Sequence, residues 1–315
     1  MRSSLSFFLL LPVLFAQCQA EQEDRKDPAP APDPDQRFKD YWYAGKAELS
    51  RYKLQQRRYG EIRKGDALMV FVTEPFLVNS QVKKERATDE ASTKVLKLNL
   101  TKDFVTGIYD YHMMTSIFDP VDRKGFDGPL KMTTSSQEWC GHSFMQLNDR
   151  EKGYRVEGRS YFQDEGDVDT TIGDPLLEDE IWTRIRLAPE NLPEGAMKLF
   201  PSGMSIRLMH QGLRTRTAEL AKFKPRKKDS IYPGGNLTGY KIHYQNPERI
   251  IRIFYEKEFP HRIAGWEERL VSKHVEPGKK LRVRAVRTHQ IRIPYWEKNA
   301  KKHRDLRKKL GLNER

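Results

Sequence analysis

The chain has little cysteine, little helical periodicity and almost no long apolar run. Its two cysteines, in 315 residues, are Cys18 and Cys140. Cys18 lies in the first twenty residues, so removal of that stretch leaves Cys140 without an internal partner and excludes a disulfide framework. No CxxC or HExxH is present, nor any cysteine-hydrolase signature, so neither a zinc motif nor a known thiol centre can be read from spacing. No cofactor is expected. The formal net charge is +13, yet no glycine-rich phosphate loop or nucleic-acid signature accompanies it, and nucleic acid is not an expected partner. Beyond residue 16 no apolar run approaches the roughly 20 residues of a membrane helix, so no transmembrane span is expected.

Each end of the chain has its own composition. MRSSLSFFLLLPVLFAQCQA carries an early arginine, an apolar core and small residues at its close, the pattern of a secretory signal peptide over 1–20. Export is therefore expected, to the periplasm or the envelope. Gln17 argues against lipidation of Cys18, although an outer-membrane lipoprotein stands as the rival reading. EQEDRKDPAPAPDPDQ, residues 21–36, has nothing to bury and reads as an acidic, semi-rigid tether. At the other end, residues 297–315 are rich in Lys and Arg. Trp296, Ala300, Leu306 and Leu310 form a thin stripe, with Gly311 as a stop. This predicts a basic helix or tail. Lys301, Lys302, Arg304, Arg307, Lys308 and Lys309 would face an anionic envelope surface or simply solvent.

Between these ends, residues 37–296 read as a single domain with a pattern of period two. Leu96, Leu98 and Leu100 alternate with polar residues, and so do Ile251, Ile253 and Tyr255, then Leu281, Val283 and Ala285. Further short runs occur at Ala67 to Thr73, Tyr154 to Phe162 and Ile206 to His210. Clusters of Gly, Pro, Asn and Asp separate them. The predicted fold is mainly β: a curved antiparallel sheet or open half-barrel with one or two short helices. The clearest helix is DPLLEDEIWTRIRL, with Asp174 as N-cap, Pro175 in the first turn, and Leu177, Ile181 and Ile185 on one face. Glu178, Asp179 and Glu180 would then decorate its positive end. Such a half-barrel could hold an apolar cavity.

SSQEWCGHSF is the stretch that most invites a chemical reading. On a straight strand Glu138, Cys140 and His142 share a face, where His142 could activate the thiol or the three could approach a metal. A strand spreads these Cα atoms too far apart for one ion unless it bends at Gly141. The plainer alternative is a buried structural cysteine. Tyr109, Tyr111, Met113 and Met114, with Trp139 and Trp182 as walls, could line an apolar pocket, and core packing accounts for them equally well. Of Glu267 and Glu268, one should turn inward and find a cation such as Arg184 or Arg186.

GKAELSRYKLQQRRYGEIRKGDALMVFVTEPF, VLKLNLTKDFVTGIYDYHMMTSIF, SSQEWCGH, LEDEIWTRIRL and GWEE together resemble a family of secreted bacterial proteins, largely from Bacteroidota, with QEWCGH at its core. The resemblance covers most of Tyr41 to Trp296. It implies an exported protein with a signal or lipoprotein N-terminus, and it brings no activity and no catalytic residue. That family often carries the label septum formation inhibitor Maf. True Maf proteins are cytoplasmic nucleotide pyrophosphatases with a Ser-rich, Arg-Arg motif at the N-terminus of an α/β fold, and this chain resembles them in neither respect. Three functions are therefore expected, in this order: an envelope protein holding an apolar or amphiphilic ligand such as a lipid, an enzyme using Cys140 and His142, or a structural surface protein.

Overall fold

In the computed structural model residues 36–271 and 281–312 are described. The expected signal peptide, Cys18 and the expected tether up to residue 35 lie outside the described residues. Helix α1 (Gln36–Trp42) leads into β1 (Ala47–Arg58), β2 (Glu61–Leu77), β3 (Ser92–Thr106) and β4 (Tyr109–Pro120). The meander continues through β5 (Lys131–Glu138), β6 (Gly141–Arg150), β7 (Gly153–Ser160) and β8 (Val168–Ile172). The chain then makes β9 (Leu176–Leu177), α2 (Ile181–Leu187), β10 (Gly195–Phe200) and α3 (Gly203–Met209). A second meander follows: β11 (Arg216–Phe223), β12 (Leu237–Gln245), β13 (Glu248–Glu256), β14 (Ile263–Val271) and β15 (Arg282–Ile293).

All fifteen strands form one sheet, ordered β8-β7-β6-β5-β4-β3-β2-β1-β15-β14-β13-β12-β11-β10-β9. The two meanders join in its middle, where β15 lies antiparallel to β1 from Ala47↔Ile293 to Gln55↔Arg284. Its edges, β8 and β9, are neighbours in the chain. Only Gly173, Asp174 and Pro175 separate them, and four residue steps reach at most about 14 Å. The sheet must therefore curl until its edges almost meet. No ladder joins them, so the sheet is a mainly antiparallel, open and curved one, as the alternating pattern predicts.

The concave face is filled. Tyr52, Leu54, Met69, Phe71, Leu98 and Tyr111 belong to one core cluster that also takes in Ile181, Trp182 and Ile185 from α2 and Met204 and Ile206 from α3. Trp182 meets the Trp266 ring edge-on, with centroids 5.3 Å apart. Charge is buried alongside. Arg186 forms two 2.7 Å hydrogen bonds to Glu48. Burial alone would raise the Glu48 carboxyl, but the guanidinium overrides it and holds it below the usual range. Arg249 bridges Glu178 and Glu268, at 2.5 and 2.8 Å. Glu268 is thus the inward carboxylate of its pair, but its cation is Arg249; Glu267 pairs with Arg252 and Arg282.

Several expectations fall to tertiary packing. Ile206 to Met209 lie in α3, with His210 as its left-handed C-cap, because the apolar residues pack as part of the plug and not as one face of a strand. Asp174 is not the helix N-cap: Pro175 precedes β9, a 3-10 turn covers Glu178–Glu180, and the α-helix starts at Ile181. Glu178, Asp179 and Glu180 are buried acceptors, not solvated decoration. The tail is two 3-10 turns, Tyr295–Glu297 and Lys301–His303, followed by a short α4 (Asp305–Lys309). Closely spaced like charges disfavour one continuous helix there. Leu310 is buried on the convex side of the sheet against Ala47, Leu49, Val70 and Val72.

Candidate functional site

QEWCGH forms the β5–β6 hairpin, with Trp139 and Cys140 in the turn. The turn breaks the parity expected of a continuous strand. Glu138 points inward, its side chain 3% exposed, whereas His142 lies on the exposed face opposite Gln137. The three residues therefore do not share a face, and no group of three or more metal-ligating side chains occurs among the described residues. Glu138 Oε2 accepts the Cys140 backbone N–H at 2.7 Å. The Cys140 thiol is exposed, not buried, and its hydrogen bond to the Glu138 carboxylate pushes it up, away from a reactive thiolate. Gly141 is required by a close approach: a Cβ there would stand 2.6 Å from the Tyr161 ring.

Around this hairpin the structure assembles residues that the sequence reading did not group. Glu138 and Glu165 both face Arg207, at 3.5 and 2.9 Å. His210, at the end of α3, lies 3.2 Å from Glu165 and 3.5 Å from Arg58. The Tyr59 hydroxyl is 2.9 Å from that of Tyr111 and 3.2 Å from that of Tyr109. Burial would raise Tyr59, but hydrogen bonds with Tyr109 and Tyr111 and the Arg58 charge outweigh it, so its pKa is lowered. The Tyr109 and Trp139 rings adjoin, with centroids 6.4 Å apart. The only local signal for this cluster was RRYG, a turn-forming tetrapeptide at the tip of β1 and β2.

The six proposed pocket residues are dispersed. Tyr109 is half-buried at the rim, and Tyr111 and Met113 point into the packed core. Met114 faces outward, and Trp139 is 71% exposed at its hairpin tip. Trp182 is buried on α2.

Open space lies instead at the seam, where the sheet edges approach without pairing. A groove of about 1570 Å³ runs between the β4–β5 and β6–β7 turns on one side and the free end of β10 on the other. Phe126, Leu130, Leu176 and Met197 give it an apolar lining; Asp127, Asp149, Arg184 and Lys198 give it charge. Arg184 is paired with Glu180 at 3.3 Å. Asp149 is pushed up to about 6 by burial and then by the charges of Asp174 and Asp127. Carboxylates unbalanced in this way gather in binding sites more often than elsewhere. No single stretch of sequence foretells this groove, because its walls come from segments as far apart as residues 78 and 217.

No family model and no curated protein matches the chain. Among solved structures, it is similar to the crystal structure of a beta-barrel-like protein of domain of unknown function DUF1849 from Brucella abortus. The identity is 11%, the match covers 78% of this chain and 96% of that one, and the TM-score is 0.41.

Proposed function

We propose that this chain is an exported, non-catalytic binding protein of the bacterial envelope, and that an amphiphilic ligand occupies the seam of its open sheet. The observation that carries this reading is the groove itself, whose mixture of apolar and charged walls suits a molecule with both characters. The filled concave face supports placing the ligand at the seam and not inside the half-barrel. The N-terminal signal pattern supports the compartment. Against thiol chemistry stands the Cys140 thiol, pushed up by its hydrogen bond to Glu138.

Mass spectrometry of an organic extract from gently purified mature protein tests the proposal. A stoichiometric amphiphile is expected that is absent from a mock purification. It should be lost from Ala196→Trp, which fills the groove from an exposed position, while the melting temperature is kept. A native protein that carries no ligand, and takes up none when amphiphiles are offered, would overturn it.

A further inference from the structure

The frame of the seam specifies the shape of its ligand. Only the last two residues of β10, Leu199 and Phe200, pair with β9. The first four, Gly195 to Lys198, pair with β11 on one side. On the other they make no backbone hydrogen bond among the described residues. Ala196, Met197 and Lys198 are exposed and line the groove. An open strand edge presents N–H and C=O groups at alternate residues, and the partner that satisfies such a row is another extended main chain. A lipid tail can fill the space but cannot complete the ladder.

Charge selects among extended chains. Asp127 and Asp149, across the groove, form no ion pair among the described residues, and Asp149 is half-buried with Asp127 and Asp174 as negative neighbours. Three cations line the groove against five carboxylates (Asp127, Asp149, Glu151, Asp174 and Glu180): Arg184 is held by Glu180, Arg150 donates to the carbonyls of Asn79 and Asp149, and Lys198 is exposed on β10. The lining therefore has carboxylates to spare, within a chain of net charge +13.

We infer that the seam takes an extended, basic polypeptide segment, added as a strand to the free edge of β10, with its Lys or Arg side chains at Asp127 and Asp149. This rests on the seam being the binding site. It narrows the ligand from any amphiphile to a peptide chain.

The test titrates the full mature chain with the capped peptide KVTKVKTVK, with its Lys→Glu counterpart, and with a version N-methylated at alternate residues on the edge-facing side. Lysophosphatidylcholine serves as the non-peptide amphiphile. The basic peptide should bind and should slow amide exchange at Gly195–Lys198. N-methylation should weaken it about tenfold, by removing several main-chain hydrogen bonds. The Glu peptide should not bind, and Asp149→Asn should weaken the basic one several-fold. Equal binding of parent and N-methylated peptides would overturn strand addition. Lysolipid binding that Ala196→Trp abolishes, with no peptide binding, would overturn the inference and leave the seam as a site. Failure of every probe to bind would remove both.

Discussion

Asp179 is an aspartate that the fold prefers protonated. It is fully buried, and burial first, then the charge of Glu178, push its carboxyl up to about 6; the Gly203 backbone N–H, 2.9 Å from Oδ2, opposes this only partly. Because the folded state binds this proton more tightly than the unfolded chain does, its contribution to stability is complete below about pH 4. The contribution is lost as pH rises to about 6. Asp179→Asn keeps the acceptor and removes the charge. The variant is expected to be more stable than the parent at pH 7, on the order of 2 kcal/mol, with the advantage shrinking toward pH 4. Urea midpoints at the two pH values measure this, and an advantage independent of pH would refute it. Glu48 and Arg186 make the opposite case, a buried pair in which each group holds the other charged. Removing one partner strands an ion, so Glu48→Gln should cost about 3–5 kcal/mol. Adding Arg186→Met should recover part of that loss, which a double-mutant cycle in urea reads directly. Cys140, though exposed, should react with Ellman's reagent more slowly at pH 8 than a free thiol does, because Glu138 disfavours the thiolate. Cys140→Ser should leave the melting temperature unchanged. Fast labelling would reopen the thiol-chemistry reading.

At the scale of elements, a pattern that one strand carries by itself is legible in the sequence, and one that depends on a distant partner is not. Strands such as β3 and β13 announce themselves because one face is core and the other solvent, so alternation survives in sequence. IRLMH alternates only over its first three residues, a span too short to separate a period of two from one of 3.6, and the plug packing decides for helix. The Glu138–Cys140–His142 grouping failed for a related reason. A two-residue turn inside the motif sends Glu138 inward and His142 outward, and nothing in QEWCGH marks where the turn falls. The tail shows the same division. Its charges were plain, but the apolar patch it covers is assembled from β1, β2 and β15 and is invisible along the chain. Leu310→Asp should therefore destabilise the protein by about 2 kcal/mol and expose Leu49, Val70 and Val72 to a hydrophobic dye. Reversing Lys301, Lys302 and Lys309, which are exposed, should leave stability almost untouched. If the charge reversal proved the costlier change, the docking account of the tail would be wrong.

The whole molecule is defined by a closure made in its middle and omitted at its edges. Residues 36–172 build one meander and residues 176–293 the other, and the sheet becomes continuous only when β15 finds β1. That pairing joins residues more than two hundred positions apart, so no local sequence signal foretells it, and loop-closure entropy delays it. The connector Gly173–Asp174–Pro175 carries the chain across the seam, where no ladder joins the two edges. It links the halves covalently, whereas β1–β15 and the buried contacts of α2 and α3 hold them by hydrogen bonds and packing. A protease site placed in the connector should therefore be cut without dissociation. The nicked protein should elute as one species in native buffer and separate into two chains only in denaturant. Its melting temperature should fall, since the unfolded halves regain the freedom that the connector denied them. Neither half expressed alone should fold, because each would leave a face of β1 or β15 and half of the core exposed to water. If the halves separate on cutting in native buffer, the β1–β15 ladder and the plug are not what unites the sheet, and the seam is under more tension than an open edge implies.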